Sequence, residues 1–161
     1  MQRGGLQTRE DDLIAGMNAE RLRTFLLTLP HVVETEQFAG LVYWVGDKAI
    51  GGKMFCMVVV DRAAAKPVWY PVGQEHFHEL LEREGFAPAP YLARVWWVAA
   101  ERWDALRDAE WEEGLRAAHA LKLATLPPKT LKVLALPAAQ QRRIVSERRK
   151  LRAAKKKPAR R

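Results

Sequence analysis

The chain has 161 residues, 48% of them apolar and 29% charged, with a net charge of +8 and one cysteine. That is long enough for one domain with a hydrophobic core plus tails, while the lone Cys56 excludes an internal disulfide and favours a reducing cytoplasm. No window has the ~18 uncharged apolar residues of a membrane span, and the opening MQRGGLQTREDDLIAGM lacks the apolar run of a secretory leader.

Residues 1–16 are polar and aperiodic and read as a flexible extension; Met17, followed by the capping residue Asn18, reads as an alternative start of translation. A first helix is expected over Ala19–Leu29, because Leu22, Phe25, Leu26 and Leu29 fall on one helical stripe and Pro30 stops it. HVVETEQFAG reads as a loop leading into a sheet. LVYWV (Leu41–Val45) and KMFCMVVVD (Lys53–Asp61) are strands separated by the turn GDKAIGG. The second run is so continuously apolar that it is buried on both faces, or lies against helices on one side and a partner on the other. PVWYPV (Pro67–Val72) reads as an edge strand because of its flanking prolines.

A second helix is expected over Gln74–Arg83, with Phe77, Leu80 and Leu81 inward and Gly85 near its C-terminal cap. A strand over Arg94–Ala100 follows. A third helix starts after Asp108 as N-cap and buries Trp111, Leu115, Ala118 and Leu121. Pro127-Pro128 closes a domain spanning 17–128. Residues 129–161 form a basic extension, in which KTLKVLAL is short and apolar. Pro137 opens a final helix with too few apolar residues to be a core element, so it reads as a solvated, partly ordered arm. The order α-β-β-β-α-β-α makes an α+β domain, an antiparallel sheet with helices packed on it.

Four stretches, LPHVVETEQF, VGDKAIGGKMF, GFAPAPYLARVWWV and LRAAHALKLATLPPK, resemble the MmcQ/YjbR family of small bacterial proteins; the likeness runs from about Met17 to Lys129. The resemblance implies an α+β fold with a double-wing arrangement, similar to the C-terminal DNA-binding domain of a phage transcription factor, and DNA binding inferred from that likeness. This chain departs from many relatives. It has Arg94 as the only charge before the tryptophan pair, and Ala118-His119 where relatives carry Ser-Tyr.

The charge is unevenly placed. Arg142–Arg161 holds eleven Lys or Arg and one acid, Glu147, a net +10 that leaves −2 for the rest of the chain. Such an arm attracts polyanions: Arg142, Arg143, Arg148, Arg149, Lys150, Arg152, Lys155, Lys156 and Lys157 are candidates for phosphate contacts, and the bland alternative is a solubilising tail. Within the domain, a strand over 94–100 would set Arg94 and Trp96 on one face, where a ring beside a guanidinium could stack a base, and Trp97 on the other, in the core. Lys53, at a strand start, is a further candidate for phosphate contact.

The remaining chemistry is sparse. His76 and His78 diverge around a helix and cannot share an ion; His78 and Glu82 lack a third ligand, so no metal or cofactor is expected. Cys56, in an apolar strand, reads as buried rather than nucleophilic. His31 and His119 have no motif around them, and GGKMF lacks the spacing of a phosphate loop. The sequence therefore points to a non-enzymatic, DNA-binding protein of low sequence specificity. The alternative is a small-ligand or protein-interaction module with an incidental basic tail.

Overall fold

The computed structural model describes residues 16–60 and 66–156. Eleven elements follow one another: α1 (Ala19–Leu26), β1 (Val32–Gln37), β2 (Gly40–Val45), β3 (Lys53–Val59), β4 (Val68–Pro71), α2 (Gly73–Leu81), β5 (Phe86–Pro88), β6 (Trp97–Ala100), α3 (Asp108–Ala124), α4 (Pro128–Leu134) and α5 (Ala138–Lys156). The six strands form one antiparallel sheet in the order β1-β2-β3-β4-β6-β5. The fold is the expected α+β type, with two strands, β1 and β5, and one helix, α4, beyond the elements expected from the sequence.

The first extra strand is β1, where the sequence suggests a loop. Val33, Thr35 and Gln37 alternate with Val32, Glu34 and Glu36, a half-polar pattern suited to a sheet edge. β1 joins β2 through Phe38-Ala39 alone, both with positive φ (53° and 58°), and Gln37 pairs with Gly40. This is the backbone of a tight two-residue hairpin turn, built without the Asn-Gly or Gly that normally announces one. The second extra strand, β5, is three residues long and ends at Pro88, so no period could reveal it.

Two further expectations are corrected. β4 is interior, between β3 and β6, rather than an edge. Its prolines do no harm there. Pro67 lies outside the strand and uses only its carbonyl, accepting from the Val59 amide at 2.8 Å, and Pro71 is the last residue to pair. The strand expected over 94–100 begins at Trp97, because Ala93–Val95 form a turn of 3-10 helix closed by Trp96 at φ 68°. Arg94, Trp96 and Val98 therefore do not share a strand face.

A bulge in β3 explains its apolar run. Tyr43 pairs with Cys56 and Trp44 with Met54, so Phe55 is the extra residue. Phe55 and Cys56 both join the core between sheet and helices, while Met54 and Met57 pack on the opposite face. That core takes Leu22 and Leu26 from α1, Phe77 from α2, and Trp111, Leu115 and Ala118 from α3. Each fully buried side chain of the size of Leu22 contributes about 2 kcal/mol by leaving water. In α3 the inward stripe is completed by His119, not by Leu121, which is 40% exposed. His119 Nε2 lies 2.7 Å from the Pro30 carbonyl and its ring meets Phe55 edge-on. The α3 N-cap is Arg107 rather than Asp108; Glu110 reaches back to accept from the Arg107 amide.

The other face of the sheet carries a second, smaller cluster. Val42, Met57, Ala89, Trp97 and Ala99 are buried there, with Trp44, Met54, Trp69 and Leu92 half-buried around them. All of these come from strands or from the loop after β5, and none from a helix.

Candidate nucleic-acid interface

The site grows from the turn between β2 and β3. Asp47 caps a single 3-10 turn (Lys48–Ile50), its side chain accepting from the Ala49 amide at 2.8 Å. Gly51 closes that turn at φ 88°, and the Gly52 amide donates to the Asp47 carbonyl at 2.9 Å. A Cβ on Gly52 would lie 1.9 Å from the Gly46 carbonyl oxygen, so two stretches of backbone touch where only glycine fits. GDKAIGG is thus a compact knot rather than a phosphate loop, and it fixes two side chains. Asp47 is held inward, and Lys48 points out, its ammonium 5.8 Å from the centroid of the Trp44 ring.

α4 locks the knot from behind. Pro128 starts the helix at its first position, where no backbone donor is needed. The buried Thr130 hydroxyl donates to the Ile50 carbonyl at 2.6 Å. The corner into α5 is tied by Gln141, whose amide nitrogen donates to the carbonyls of Leu134 (3.0 Å) and Leu136 (2.7 Å). α5 then runs back along the β2–β3 turn, and Arg149 donates to the buried carboxylate of Asp47. No side chain of α5 is buried among the described residues, as expected of a solvated helical arm rather than a core element, yet the helix is docked against the domain.

Docking leaves a groove on each side of the Asp47–Arg149 pair. One, of about 590 Å³, lies between α5 and the helix-free side of the β1–β2 hairpin, with Thr35, Trp44, Lys48, Arg149, Arg152 and Lys156 among its walls. The Trp44 indole donates to the Thr35 hydroxyl at 2.8 Å, which fixes the ring while leaving it half-exposed. The other groove, of about 650 Å³, has apolar walls from Val32, Ile50, Leu134 and Val145, with Arg142 and Lys150 beside them.

The residues anticipated from sequence separate into three places. Arg142, Arg149, Lys150, Arg152 and Lys156 line the two grooves, whereas Arg143, Arg148 and Lys155 are exposed on α5. Lys157 lies outside the described residues. Lys53 sits elsewhere, its ammonium donating to the Thr125 carbonyl at 2.8 Å. Beside it Lys122 rests 5.8 Å from the centre of the Trp97 ring; burial, and then the charge of Lys53, push the Lys122 pKa down. Arg94 is exposed on its 3-10 turn, while the Trp96 ring packs edge-on against Phe77 (5.4 Å) and His78 (6.2 Å) of α2. The aromatic ring that shares a groove with the tail cations is Trp44, and the fully exposed ring of the PAPYLAR segment is Tyr91, at 94%.

Trp44 is legible only in part. The alternation of LVYWV already separates Trp44 from Tyr43, but without β1 nothing in the sequence marks the face it lies on. The pairing of Asp47 with Arg149 across 102 residues leaves no local trace. Other candidates are plain. Cys56 is fully buried and burial pushes its thiol pKa far up. Among the described residues no cluster of His, Cys, Asp and Glu could hold a metal ion, and no helix is long and apolar enough to cross a membrane.

A helix-backed antiparallel sheet with a basic helix docked at one end defines an α+β protein. The chain belongs to the YjbR family, whose model matches residues 27–121. It is similar in fold to the crystal structure of Deinococcus radiodurans protein DR2400, a DUF419 domain, with 24% identity and a TM-score of 0.63 over 74% of this chain and 89% of that one. No curated protein matches it. α4 and α5 lie beyond the matched residues, so the groove between Trp44 and α5 joins the family domain to a segment outside the family match.

Proposed function

We propose that this chain is a DNA-binding protein of YjbR type, non-enzymatic, gripping mainly the phosphate backbone with little sequence preference. One observation carries the reading: the basic helix is held against the domain by Arg149 and Asp47, so that Arg152 and Lys156 line one groove together with Lys48 and the half-buried Trp44. A tail that merely solubilised the protein would need no anchor. Lys and Arg at this density read phosphates rather than base edges, which makes affinity general and salt-sensitive. Lys53, with Lys122, offers a secondary cationic spot. A cytoplasmic location goes with this reading, and the buried, free Cys56 agrees with it.

The test is a salt series with the full chain on DNA. If six to eight cations reach phosphates, log K falls against log salt with a slope of about −5 to −7. Replacing Arg142, Arg148, Lys150, Arg152 and Lys155 with Gln, while keeping Arg149 so that α5 stays docked, should flatten that slope by about one for each phosphate no longer neutralised. Absence of binding at low salt, or a slope indifferent to these changes, refutes the reading.

A further inference from the structure

We infer that the groove between Trp44 and α5 takes a single strand of DNA, stacking one base on the Trp44 ring while Lys48, Arg152 and Lys156 hold the flanking phosphates. This rests on the DNA-binding reading above and specifies which form of the ligand the site accepts.

Three features lead to it. The groove lies on the helix-free side of the sheet, where half-buried Trp44, Met54 and Trp69 surround the buried Val42, Met57 and Ala99. The polar edges of both half-buried tryptophans are already satisfied within the domain: Trp44 donates to the Thr35 hydroxyl (2.8 Å) and Trp69 to the Lys66 carbonyl (2.9 Å). What remains of Trp44 for a ligand is the part of its π-face that Lys48, 5.8 Å from the ring centroid, leaves open, and a π-face accepts any base.

The charges explain why the occupant is a strand of nucleic acid rather than another apolar surface. Lys48 lies 5.8 Å from the centroid of the Trp44 ring, and Arg149, Arg152 and Lys156 close the far wall, so the cations of the lining outnumber its two acids, Glu36 and Asp47. The carboxylate of Asp47 at this end is neutralised by Arg149. An apolar partner would have to desolvate Lys48, Arg152 and Lys156 without compensation, whereas a phosphodiester chain supplies the anions and a planar base together.

The geometry also selects against a duplex. Arg149, Arg152 and Lys156 face into a groove of about 590 Å³ between a helix and a sheet. In a double helix the bases stack on one another and are unavailable to a ring. A single strand can present an unstacked base to Trp44 and its phosphates to both walls.

Affinities of the full chain are measured for a short single strand of mixed sequence and for the duplex of the same sequence, at one ionic strength. The expected result is tighter binding of the single strand, with quenching of tryptophan emission as the base stacks. Trp44→Ala should weaken single-strand binding about tenfold, the loss of one stacked base, and abolish the preference for the single strand over the duplex. Trp44→Phe should restore most of the affinity and keep the fold if the Ala variant does not. Equal affinity for both forms, with the variants indifferent, overturns the inference but leaves the DNA-binding reading standing; binding of neither form removes both. A polyglutamate peptide that displaces the single strand as strongly as unlabelled DNA, or a dimer in sedimentation that Trp44→Ala dissolves, assigns the groove to a different occupant and overturns the inference.

Discussion

Arg149, near the end of α5, donates to the buried carboxylate of Asp47, 102 residues earlier in the chain. The acceptor is 10% exposed and the donor 61%, so the pair is anchored on one side and wet on the other. Its second carboxylate oxygen is engaged by the Ala49 amide, which makes Asp47 both the cap of its own turn and the anchor of a remote helix. Arg149→Ala leaves that carboxylate without its cation. Because the guanidinium is largely hydrated, the cost is moderate, about 1 kcal/mol. The larger effect is local: amide hydrogens of α5 should exchange faster in Arg149→Ala, while those of β2 and β3 keep their protection. Equal protection of α5 in both proteins would mean that the pair does not hold the helix.

Gly52 positions Asp47 through backbone contact. A methyl group there would meet the Gly46 carbonyl oxygen at 1.9 Å and the Asp47 carbonyl oxygen at 2.8 Å, and neither is the end of a flexible side chain. Gly52→Ala must therefore shift the turn, at about 3 kcal/mol or more, and should release α5 along with it. Thermal unfolding and amide exchange together check this. A substitution that lowers Tm while leaving α5 protected would uncouple the knot from the helix.

The hairpin of β1 and β2 shows how local chemistry hides part of the fold. Strands β2 and β3 are readable because β-branched and aromatic residues cluster in them, and helices α1 to α3 because their apolar residues recur at helical spacing. β1 is not, since Phe38-Ala39 adopts positive φ at both positions without any residue that favours it. The docking of α5 is hidden for a related reason. Its energy comes from Thr130, Gln141 and Arg149 meeting backbone and side chains outside the helix, while its own composition reads as a solvated arm. Tertiary contacts decide both cases. Replacing Phe38-Ala39 with Asn-Gly should relieve left-handed strain of about 1–2 kcal/mol per residue and raise Tm by roughly 6–12 °C. An unchanged Tm would show that the exposed Phe38 ring compensates for its backbone.

Acid should loosen the helical layer before the sheet. Glu110 of α3 accepts a bidentate pair from Arg83 (2.6 and 3.0 Å) and the Arg107 amide (3.2 Å), and these bonds hold its pKa down to about 2. In Glu34, burial alone would raise the carboxyl, but hydrogen bonds from Arg23 and Tyr43, both at 2.8 Å, outweigh it and hold the pKa below the usual range. Both groups are thus more acidic folded than unfolded. Their contribution is complete above the ordinary carboxylate pKa, about 4.3, and is lost as pH falls from there toward 2, where the unfolded chain binds protons more readily. The Glu110 contribution is discounted by solvent to about 1 kcal/mol, or roughly 3 °C in Tm. Tm measured between neutral pH and pH 2 should fall less steeply for Arg83→Gln than for the native chain, with the two curves meeting at the acid end. Parallel curves would place the acid sensitivity in other carboxylates.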